Sequence, residues 1–360
     1  MSSDLKISRL FKMLHQRSAH LEAGDPVPDP LVMSSVFALP DQPEPGRVYG
    51  RTASPTLEAL EARLATLEAA PCLSFPSGMG AYAGLLMATL KHGDSVLLLS
   101  DGYFAARSLL GDILAPFGVT VETCPAQHIE TAVLDTHDMV IIETPSNPGL
   151  YVIDIARMSE RCRDADALLV VDNTVCTPLL QNPLDLGADA VVVSDTKAMG
   201  GHSDVLMGHV ASRDPALMER VHNVRSLMGL NPGPQEAWML IRGLETLEIR
   251  LARMCANARA LLPVFEASPN VSDPRYPAPH PQAADQGFLI GATFADAPTA
   301  DRFLSLAGFA PTTSFGGLHS SGDRRARWGD DVAPGFLRLS CGVEPIDLLV
   351  ENVKTALSSL

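Results

Sequence analysis

One lysine directly follows an apolar, β-branched segment and is surrounded by hydroxyl and carboxylate side chains. Residues 191–204 read VVVSDTKAMGGHSD, so Ser194, Thr196 and Lys197 come just after the apolar run. One predicted strand earlier, LLVVDNT ends in the same way and delivers Asp172. A lysine forms a Schiff base with the aldehyde of pyridoxal phosphate (PLP), an aspartate pairs with the pyridinium nitrogen, and hydroxyls bind phosphate oxygens. These side chains together predict a PLP site.

A second segment has the features of a phosphate-binding turn. Ser77, Gly78 and Met79 precede the predicted helix AYAGLLMATL. The free N–H groups and the dipole at a helix N-terminus favour an anion, and a glycine lets the backbone approach it closely. Alone, a Ser-Gly pair before a helix is usually only a cap. Together with the lysine segment, it predicts where the phosphate binds.

The elements that must position these residues are short apolar runs that alternate with helical segments. Each run lacks strict polar alternation and is rich in β-branched residues or leucine, which is typical of strands buried on both faces of a largely parallel sheet. The runs are 95–100, 139–144, 168–173 and 190–195, and the predicted helices between them include 104–116 and 155–165. Every run ends in polar residues. Because ligands bind beyond the carboxyl ends of strands in open α/β sheets, these residues should lie together.

The remaining segments predict an N-terminal arm and a smaller second unit. Residues 1–46 are rich in proline, which predicts an extended arm after a short helix, in contact with a neighbouring subunit. Residues 47–235 should form a PLP-binding α/β domain that begins with a helix capped by Ser54, and residues 236–360 a C-terminal α+β domain. A long amphipathic segment, about 234–262, should lead out of the α/β domain. We expect a loop over 273–281, strands over 288–294 and 336–341, and a final helix over 345–358.

Composition excludes several classes of protein. A formal net charge of −15 over 360 residues argues against a nucleic-acid or anionic-membrane surface. No apolar run could span a membrane, and the start, MSSDLKISRLFKMLHQ, lacks the apolar core of a secretory signal. Six widely spaced cysteines form no C-x-x-C pair, which predicts reduced thiols in a cytoplasmic protein. His202 and His209 flank Asp204 without metal-ligand spacing, so no metal is expected, and Trp238 and Trp328 are interpreted as packing residues.

The order of several motifs resembles the Cys/Met-metabolism PLP-dependent enzymes, which include cystathionine γ-synthase, cystathionine γ- and β-lyases and methionine γ-lyase. The likeness extends from about residue 30 to the C-terminus. Its main motifs are YGRTASPT (49–56), SGMGA (77–81), ETPSNP (143–148), VVDNTVCTP (170–178), PLDLGADAVVVSDTKAMGGHSD (183–204), RGLETL (242–247) and RLSCGVE (338–344). The resemblance implies fold type I of the PLP enzymes and a homotetramer, built as two tight dimers with shared active sites.

The resemblance also implies roles for individual residues around the cofactor. Lys197 would be the Schiff-base lysine and general base, and Asp172 would keep the ring nitrogen protonated. Tyr103 would stack on the ring and assist proton transfer to the leaving group, while Asn147 would contact the ring hydroxyl. The implied phosphate ligands are Ser77, Gly78, Met79, Ser194 and Thr196.

Further residues are implied at the dimer interface and at the amino-acid substrate. Tyr49 and Arg51 resemble the pair that reaches across the dimer to the phosphate of the neighbouring subunit. Tyr49 and Asn147 would also contact the substrate. Arg338 resembles the arginine that holds the substrate α-carboxylate in a bidentate pair, with the assistance of Ser314.

The favoured reaction is γ-elimination from L-cystathionine to cysteine, 2-oxobutanoate and ammonia. Ala105 lies where methionine γ-lyases usually have a cysteine, shortly after the stacking Tyr103. The turn YFAA departs from the family's Y-G-G-T, Phe315 replaces a leucine, and His319 replaces a glutamate. Cystathionine β-lyase and cystathionine γ-synthase therefore remain alternatives, as does a PLP-binding protein without lyase activity. A nicotinamide enzyme would need a G-x-G-x-x-G motif after an early strand, and the sequence has none.

Overall fold

Two β-sheets organise the chain into a larger N-terminal unit and a smaller C-terminal unit. The structure is a computed structural model that describes residues 3–39, 41 and 47–360. The larger unit contains a seven-stranded, mostly parallel sheet, and the smaller one a five-stranded, mostly antiparallel sheet. This confirms the predicted α/β class with a smaller α+β unit. The predicted arm lies partly outside the described residues.

Helices and strands alternate through the larger unit. In the described part of the chain the α-helices are α1 Ser3–His15, α2 Pro55–Glu68, α3 Gly78–Thr89, α4 Phe104–Ser108, α5 Ile155–Asp164, α6 Thr177–Leu180, α7 Pro215–Met228, α8 Pro234–Glu245, α9 Leu247–Glu266, α10 Ala297–Ala307 and α11 Ile346–Ser358. The strands are β1 Cys72–Phe75, β2 Ser95–Leu99, β3 Thr120–Cys124, β4 Met139–Glu143, β5 Leu168–Asp172, β6 Ala190–Val193, β7 Gly208–Ser212, β8 Ser272–Arg275, β9 Leu289–Thr293, β10 Ala310–Pro311, β11 Ser321–Arg324 and β12 Phe336–Ser340. A π-helical turn, Leu109–Leu114, continues α4.

The four apolar runs form the parallel centre of the larger sheet. They become β2, β4, β5 and β6 in the strand order β1-β7-β6-β5-β4-β2-β3. The edge strand β3 pairs with β2 in parallel, whereas β7 pairs antiparallel with both β6 and β1. Strands β1, β3 and β7 were not predicted, because each mixes polar with apolar residues.

Both faces of this sheet are buried under helices. On β5, Val170 packs in a cluster with residues of α3 and α7, whereas Leu169 and Val171 pack on the opposite face with residues of α5. Side chains alternate between the two faces of a strand, so Asp172 points to the same side as Val170. The terminal carboxylate of β5 is therefore directed toward α3.

The C-terminal unit corrects one expectation. The amphipathic segment predicted over 234–262 forms two helices, α8 and α9, which meet at Thr246. The loop predicted over 273–281 begins as part of β8, an edge strand that pairs irregularly with β9. An edge strand tolerates Pro274, which has no N–H to donate to the ladder.

The described part of the arm contacts the rest of this chain at several points. Met13 of α1 is fully buried against α2, and Asp29 forms an ion pair with Arg63 at 2.5 Å. The indole N–H of Trp238 donates to the carbonyl of Asp29 at 3.0 Å. Most of the arm after residue 20 has no regular structure and is exposed. Within the described residues, no helix is long and apolar enough to cross a membrane.

Candidate active site

Three adjacent parallel strands end at one cavity. Glu143 at the end of β4 pairs in register with Asp172 of β5, and Asp172 pairs with Val192 of β6. A cavity of about 270 Å³ lies beyond these ends. Ten of the thirteen predicted site residues line it, and these are Ser77, Gly78, Met79, Tyr103, Asn147, Asp172, Ser194, Thr196, Lys197 and Arg338.

Lys197 lies in the turn after β6 and is largely buried. Its Nζ donates to the hydroxyl of Ser314 at 2.8 Å and lies 5.2 Å from the ring centre of Phe315. The pKa of this amine is lowered from 10.5 to about 8. Burial is the largest cause, the cations of Arg338 and Arg325 act in the same direction, and the aspartate of β5 opposes them. A lower pKa increases the fraction of neutral amine, which is the form that attacks an aldehyde.

Asp172 is buried and held by two hydrogen bonds. Its Oδ2 accepts from the Tyr82 hydroxyl at 3.0 Å, and its Oδ1 accepts from the Thr174 N–H at 2.9 Å. Burial raises the pKa of this carboxyl, while the hydrogen bonds from Thr174 and Tyr82 and the charge of Lys197 oppose the shift. A protonated pyridine nitrogen placed against Asp172 would oppose it further. The residue therefore fits the role predicted for it.

Helix α3 and the end of β6 approach each other closely. Ser77 caps the helix, and its Oγ accepts from the N–H of Gly80 at 2.9 Å. A Cβ added to Gly78 would lie 2.7 Å from the Cβ of Ser194, so a larger residue would fill the space between helix and strand end. The first N–H groups of an α-helix have no partner within the helix. This narrow cradle at a helix N-terminus fits the phosphate of PLP.

Thr196 fits the predicted phosphate role less well than Ser194. Its hydroxyl already donates to the carbonyl of Met207 at 3.2 Å and accepts from the N–H of the same residue at 3.1 Å. A phosphate at Thr196 would compete with the Met207 carbonyl for the single hydroxyl proton.

Tyr103 lies at the mouth of the cavity with 37% of its surface exposed. Its N–H donates to Oε2 of Glu143 at 3.0 Å. Burial, followed by the charges of Asp172 and Glu143, raises the pKa of the Tyr103 hydroxyl. The hydroxyl therefore keeps its proton at neutral pH and can donate it. Burial and the charge of Asp172 also raise the pKa of Glu143 well above its usual range. From the sequence, Glu143 was predicted only as a polar residue at a strand end.

Arg338 enters the cavity from the centre of the second sheet. Its Nη1 donates to Oδ1 of Asn147 at 2.8 Å and its Nη2 to the carbonyl of Thr313 at 2.5 Å. The guanidinium carbon lies 4.9 Å from the ring centre of Phe315. Burial lowers the pKa of Arg338 to about 10, so it stays charged at neutral pH. Its buried Nε has no hydrogen-bond partner among the described residues, which fits a cation that receives a substrate carboxylate.

Three predicted residues do not line this cavity. Tyr49 and Arg51 are exposed, and Nη1 of Arg51 donates to the carbonyl of Ser226 at 2.5 Å. Their predicted reach into a neighbouring subunit therefore stays a prediction. Ser314 lines an adjacent cavity of about 660 Å³ together with His319, and it contacts the site through its hydrogen bond with the lysine.

Several lining residues carried no functional signal in the sequence. Trp328, interpreted from the sequence as a packing residue, lines the cavity instead. The other lining residues without an assigned role were Tyr82, Phe104, Thr174, Val192, Leu206, Thr313 and Arg325. Only the position of Tyr82 in the helix after the phosphate-binding turn could have indicated it. In the described chain, no group of three His, Cys, Asp or Glu side chains is placed to hold a metal ion.

Comparisons with known proteins agree on the cofactor. The family model of the Cys/Met metabolism PLP-dependent enzymes matches residues 12–286. A putative cystathionine γ-lyase of Streptomyces coelicolor is 40% identical over 94% of this chain and 92% of its own length.

The same comparisons include different reactions. An L-methionine γ-lyase of Pseudomonas putida is 35% identical over 87% of this chain and 86% of its own length. A cystathionine γ-synthase of Xanthomonas oryzae pv. oryzae, solved in complex with cystathionine, superposes with a TM-score of 0.91 at 29% identity and covers 97% of both chains. Similarity at this level therefore leaves the individual reaction open.

Proposed function

This chain belongs to the Cys/Met metabolism PLP-dependent enzymes, and from this premise we propose that it is a carbon–sulfur lyase acting on L-cystathionine. Its cofactor is PLP. The proposed reaction is γ-elimination, in which cystathionine and water give cysteine, 2-oxobutanoate and ammonia. The observation that carries the proposal is the meeting of Lys197, Asp172 and Arg338 around one cavity.

Some residues of the cavity would bind the cofactor, and others would bind the substrate. Ser77, Gly78 and Ser194 would hold the phosphate, and Asp172 would hold the ring nitrogen in its protonated form. Bound PLP supplies an electron sink for the charge that develops at the substrate α-carbon. Arg338 would hold the α-carboxylate and so orient the α-proton toward the lysine.

Proton transfer would depend on two groups with shifted pKa values. Lys197 has a lowered pKa of about 8 and can take the α-proton as a neutral amine. Tyr103 has a raised pKa and can supply a proton to the departing sulfur, which leaves as the thiol of cysteine. Burial of Asp172 would keep bulk water away from the charged ring nitrogen.

Three neighbouring activities are the alternatives to cystathionine γ-elimination. β-Elimination would give homocysteine, pyruvate and ammonia, and γ-replacement would join cysteine to an activated homoserine. His319, in place of the family glutamate, is the sequence feature that keeps both open. Methionine γ-elimination is less favoured, because Ala105 lies where methionine γ-lyases usually have a cysteine.

Product analysis tests the proposal. PLP-loaded protein incubated with L-cystathionine should release 2-oxobutanoate with cysteine, identified by mass spectrometry. Pyruvate with homocysteine would instead establish β-lyase chemistry. If neither keto acid forms, activated homoserine esters with cysteine test the synthase. Lys197→Ala is the control: it should lose turnover and the visible absorbance of lysine-bound cofactor while keeping its circular dichroism, and a variant that still turned over would contradict the assignment.

We also propose a homotetramer of two dimers with shared sites, in the cytoplasm. Several apolar side chains of the arm and of α1 are exposed in the single chain, and a second chain would cover them. They are Ile7, Phe11, Val27, Met33, Val36 and Leu39. Cys72, Cys124, Cys162, Cys255 and Cys341 are free thiols, which suits a reducing compartment.

A further inference from the structure

A tryptophan at the mouth of the cavity is held by a buried carboxylate. Trp328 lines the cavity although 47% of its surface is exposed. Its Nε1–H donates to both oxygens of Asp323, at 3.1 and 2.9 Å. Burial by itself raises the pKa of Asp323, but the hydrogen bond from Trp328 and the charge of Arg325 hold it below its usual value. The indole is therefore oriented before any ligand binds.

An arginine between two aspartates fixes this arrangement. Nη1 of Arg325 donates to Asp323 at 2.8 Å, while its Nε and Nη2 contact Oδ2 of Asp330 at 2.8 and 2.7 Å. All three side chains are almost completely buried. Every nitrogen of Arg325 is thus engaged by a carboxylate, in contrast to Arg338, whose partners are an amide and a carbonyl. Arg325 is a structural residue here and not a second binding site for a carboxylate.

The cluster of Asp323, Arg325, Asp330 and Trp328 is joined to the substrate arginine. Asp323 lies directly opposite Arg338 in the antiparallel register of β11 and β12. The turn Arg325–Trp328 follows β11, so the indole and the Arg338 guanidinium belong to the same rigid pair of strands. A substrate whose α-carboxylate is bound by Arg338 would extend its side chain toward the mouth. The mouth itself is lined by half-exposed apolar groups, which include Tyr103, Phe104 and Leu206.

We propose that Trp328 contacts the part of the substrate side chain beyond sulfur and selects an amino acid whose thioether chain ends in an ammonium-bearing group. The inference rests on the proposed function of the site. The indole face of Trp328 is oriented at the mouth, and an indole face attracts a cation. L-Cystathionine carries such a distal ammonium, with a carboxylate on the same carbon. L-Methionine ends one methyl group after sulfur, and a homoserine ester of a dicarboxylic acid ends in an anion, so both would gain less.

Equilibrium binding to a non-reacting protein gives the most direct test. Lys197→Ala, reconstituted with PLP, is titrated calorimetrically with L-cystathionine and with L-methionine, alone and combined with Trp328→Ala. Losing this aromatic contact at the mouth should raise the Kd for cystathionine by about fivefold and that for methionine by less than about twofold. Trp328→Phe retains an aromatic face and should give an intermediate Kd. Phe117→Ala removes an exposed aromatic residue away from the cavity and should change neither value.

Steady-state kinetics of the single variants complete the experiment. With Lys197 intact, Trp328→Ala should raise KM for cystathionine and leave kcat within about twofold. An equal loss for both ligands, or an unchanged Kd for cystathionine, would overturn the inference. So would a fall in molecular mass on light scattering, because Trp328 would then contact a neighbouring chain. If wild-type protein fails to cleave cystathionine, the proposed function is wrong, whereas the titration still decides the role of Trp328.

Discussion

A lysine amine works as a nucleophile or base only when it is neutral, and three features of this molecule favour that form in Lys197. Burial contributes most, and the guanidinium groups of Arg338 and Arg325 add to it. Arg338 thus has two effects, since the cation predicted to receive the substrate carboxylate also lowers the pKa of the lysine. A substrate carboxylate bound to Arg338 would offset the charge of its guanidinium group. The pKa of Lys197 would then rise at the moment when the amine must accept a proton.

Capture of PLP by the apoprotein should depend on pH through Lys197. We expect the rate to rise with pH and to level off above about 8, the pKa of the amine. At pH 8 half of the amine is neutral, compared with about 0.3% for a lysine of pKa 10.5. Stopped-flow absorbance of the cofactor between about pH 6 and 10 measures the rate.

Two substitutions separate the causes of that pKa. The charge of Arg338 is the second-largest cause of the lowered pKa. Arg338→Gln should therefore move the midpoint of the rate–pH curve to higher pH, whereas the substitution of exposed Arg327 by Gln should leave that midpoint unchanged. A rate in the wild-type protein that is still climbing at about pH 10 would contradict the role given to burial.

Elements around the site are connected by a buried histidine with two carboxylates. Nδ1 of His209 on β7 lies 2.8 Å from Asp195 Oδ1, and its Nε2 lies 3.2 Å from Oε1 of Glu68 at the end of α2. All three side chains are fully buried. Burial alone would lower the pKa of His209, but Asp195 and Glu68 raise it to about 10, so the ring is protonated and donates from both nitrogens. Because Asp195 separates Ser194 from Thr196, this ion cluster holds the turn after β6 against α2.

The stability of the fold should therefore depend on the proton of His209. The folded pKa is raised, so its contribution is complete below the unfolded value of about 6.5 and declines as pH rises toward 10. His209→Gln should lower the free energy of unfolding by a few kcal/mol near neutral pH, and by less at about pH 10. Denaturant unfolding of both proteins across this range measures the difference. Exposed His128→Gln is the control, and a difference that does not change with pH would contradict the explanation.

For the whole molecule, the question is how many chains form one site. Tyr49 and Arg51 are exposed in this chain and do not line its cavity, although they resemble residues that reach a neighbouring phosphate. The arm beside them presents apolar side chains to solvent, which a monomer of this size rarely does over a large area. A dimer with mutual exchange of Tyr49 and Arg51 accounts for both features.

Hybrid dimers test this sharing. Arg51→Gln and Lys197→Ala chains should each be nearly inactive by themselves, because every site lacks one of the two residues. Co-expressed with different tags, they should recover roughly a quarter of wild-type activity, since half of randomly paired dimers would contain one complete site. A chain with both substitutions, paired with Lys197→Ala, has no complete site and serves as the control. Full activity of Arg51→Gln alone, or no recovery in the mixture, would show that sites are not shared.

The local pattern of the sequence was sufficient to predict the central strands of the larger sheet and the reactive residues that follow them. Strands buried on both faces must be apolar throughout, so β2, β4, β5 and β6 could be read directly from their composition. The carboxyl ends of these parallel strands meet at one edge of the sheet. Asp172, Ser194 and Lys197 could therefore be predicted to lie together from the strand order alone. Short strands with mixed polarity, such as β3, carry no comparable signal and were missed.

Tertiary structure alone decided which residues distant in sequence share the cavity and how they shift each other's pKa values. Tyr82 hydrogen-bonds Asp172 from ninety positions away, and Arg338 reaches Asn147 across 191 positions. The pKa values of Lys197 and Tyr103 depend on burial and on charges from both units, which have no counterpart in local sequence. The position of Trp328 at the cavity was likewise not predictable, since a tryptophan suits a packed core as well as a ligand site. Spacing along a chain determines the periodicity of an element, whereas the dielectric environment and the neighbours of a side chain arise only when the elements pack.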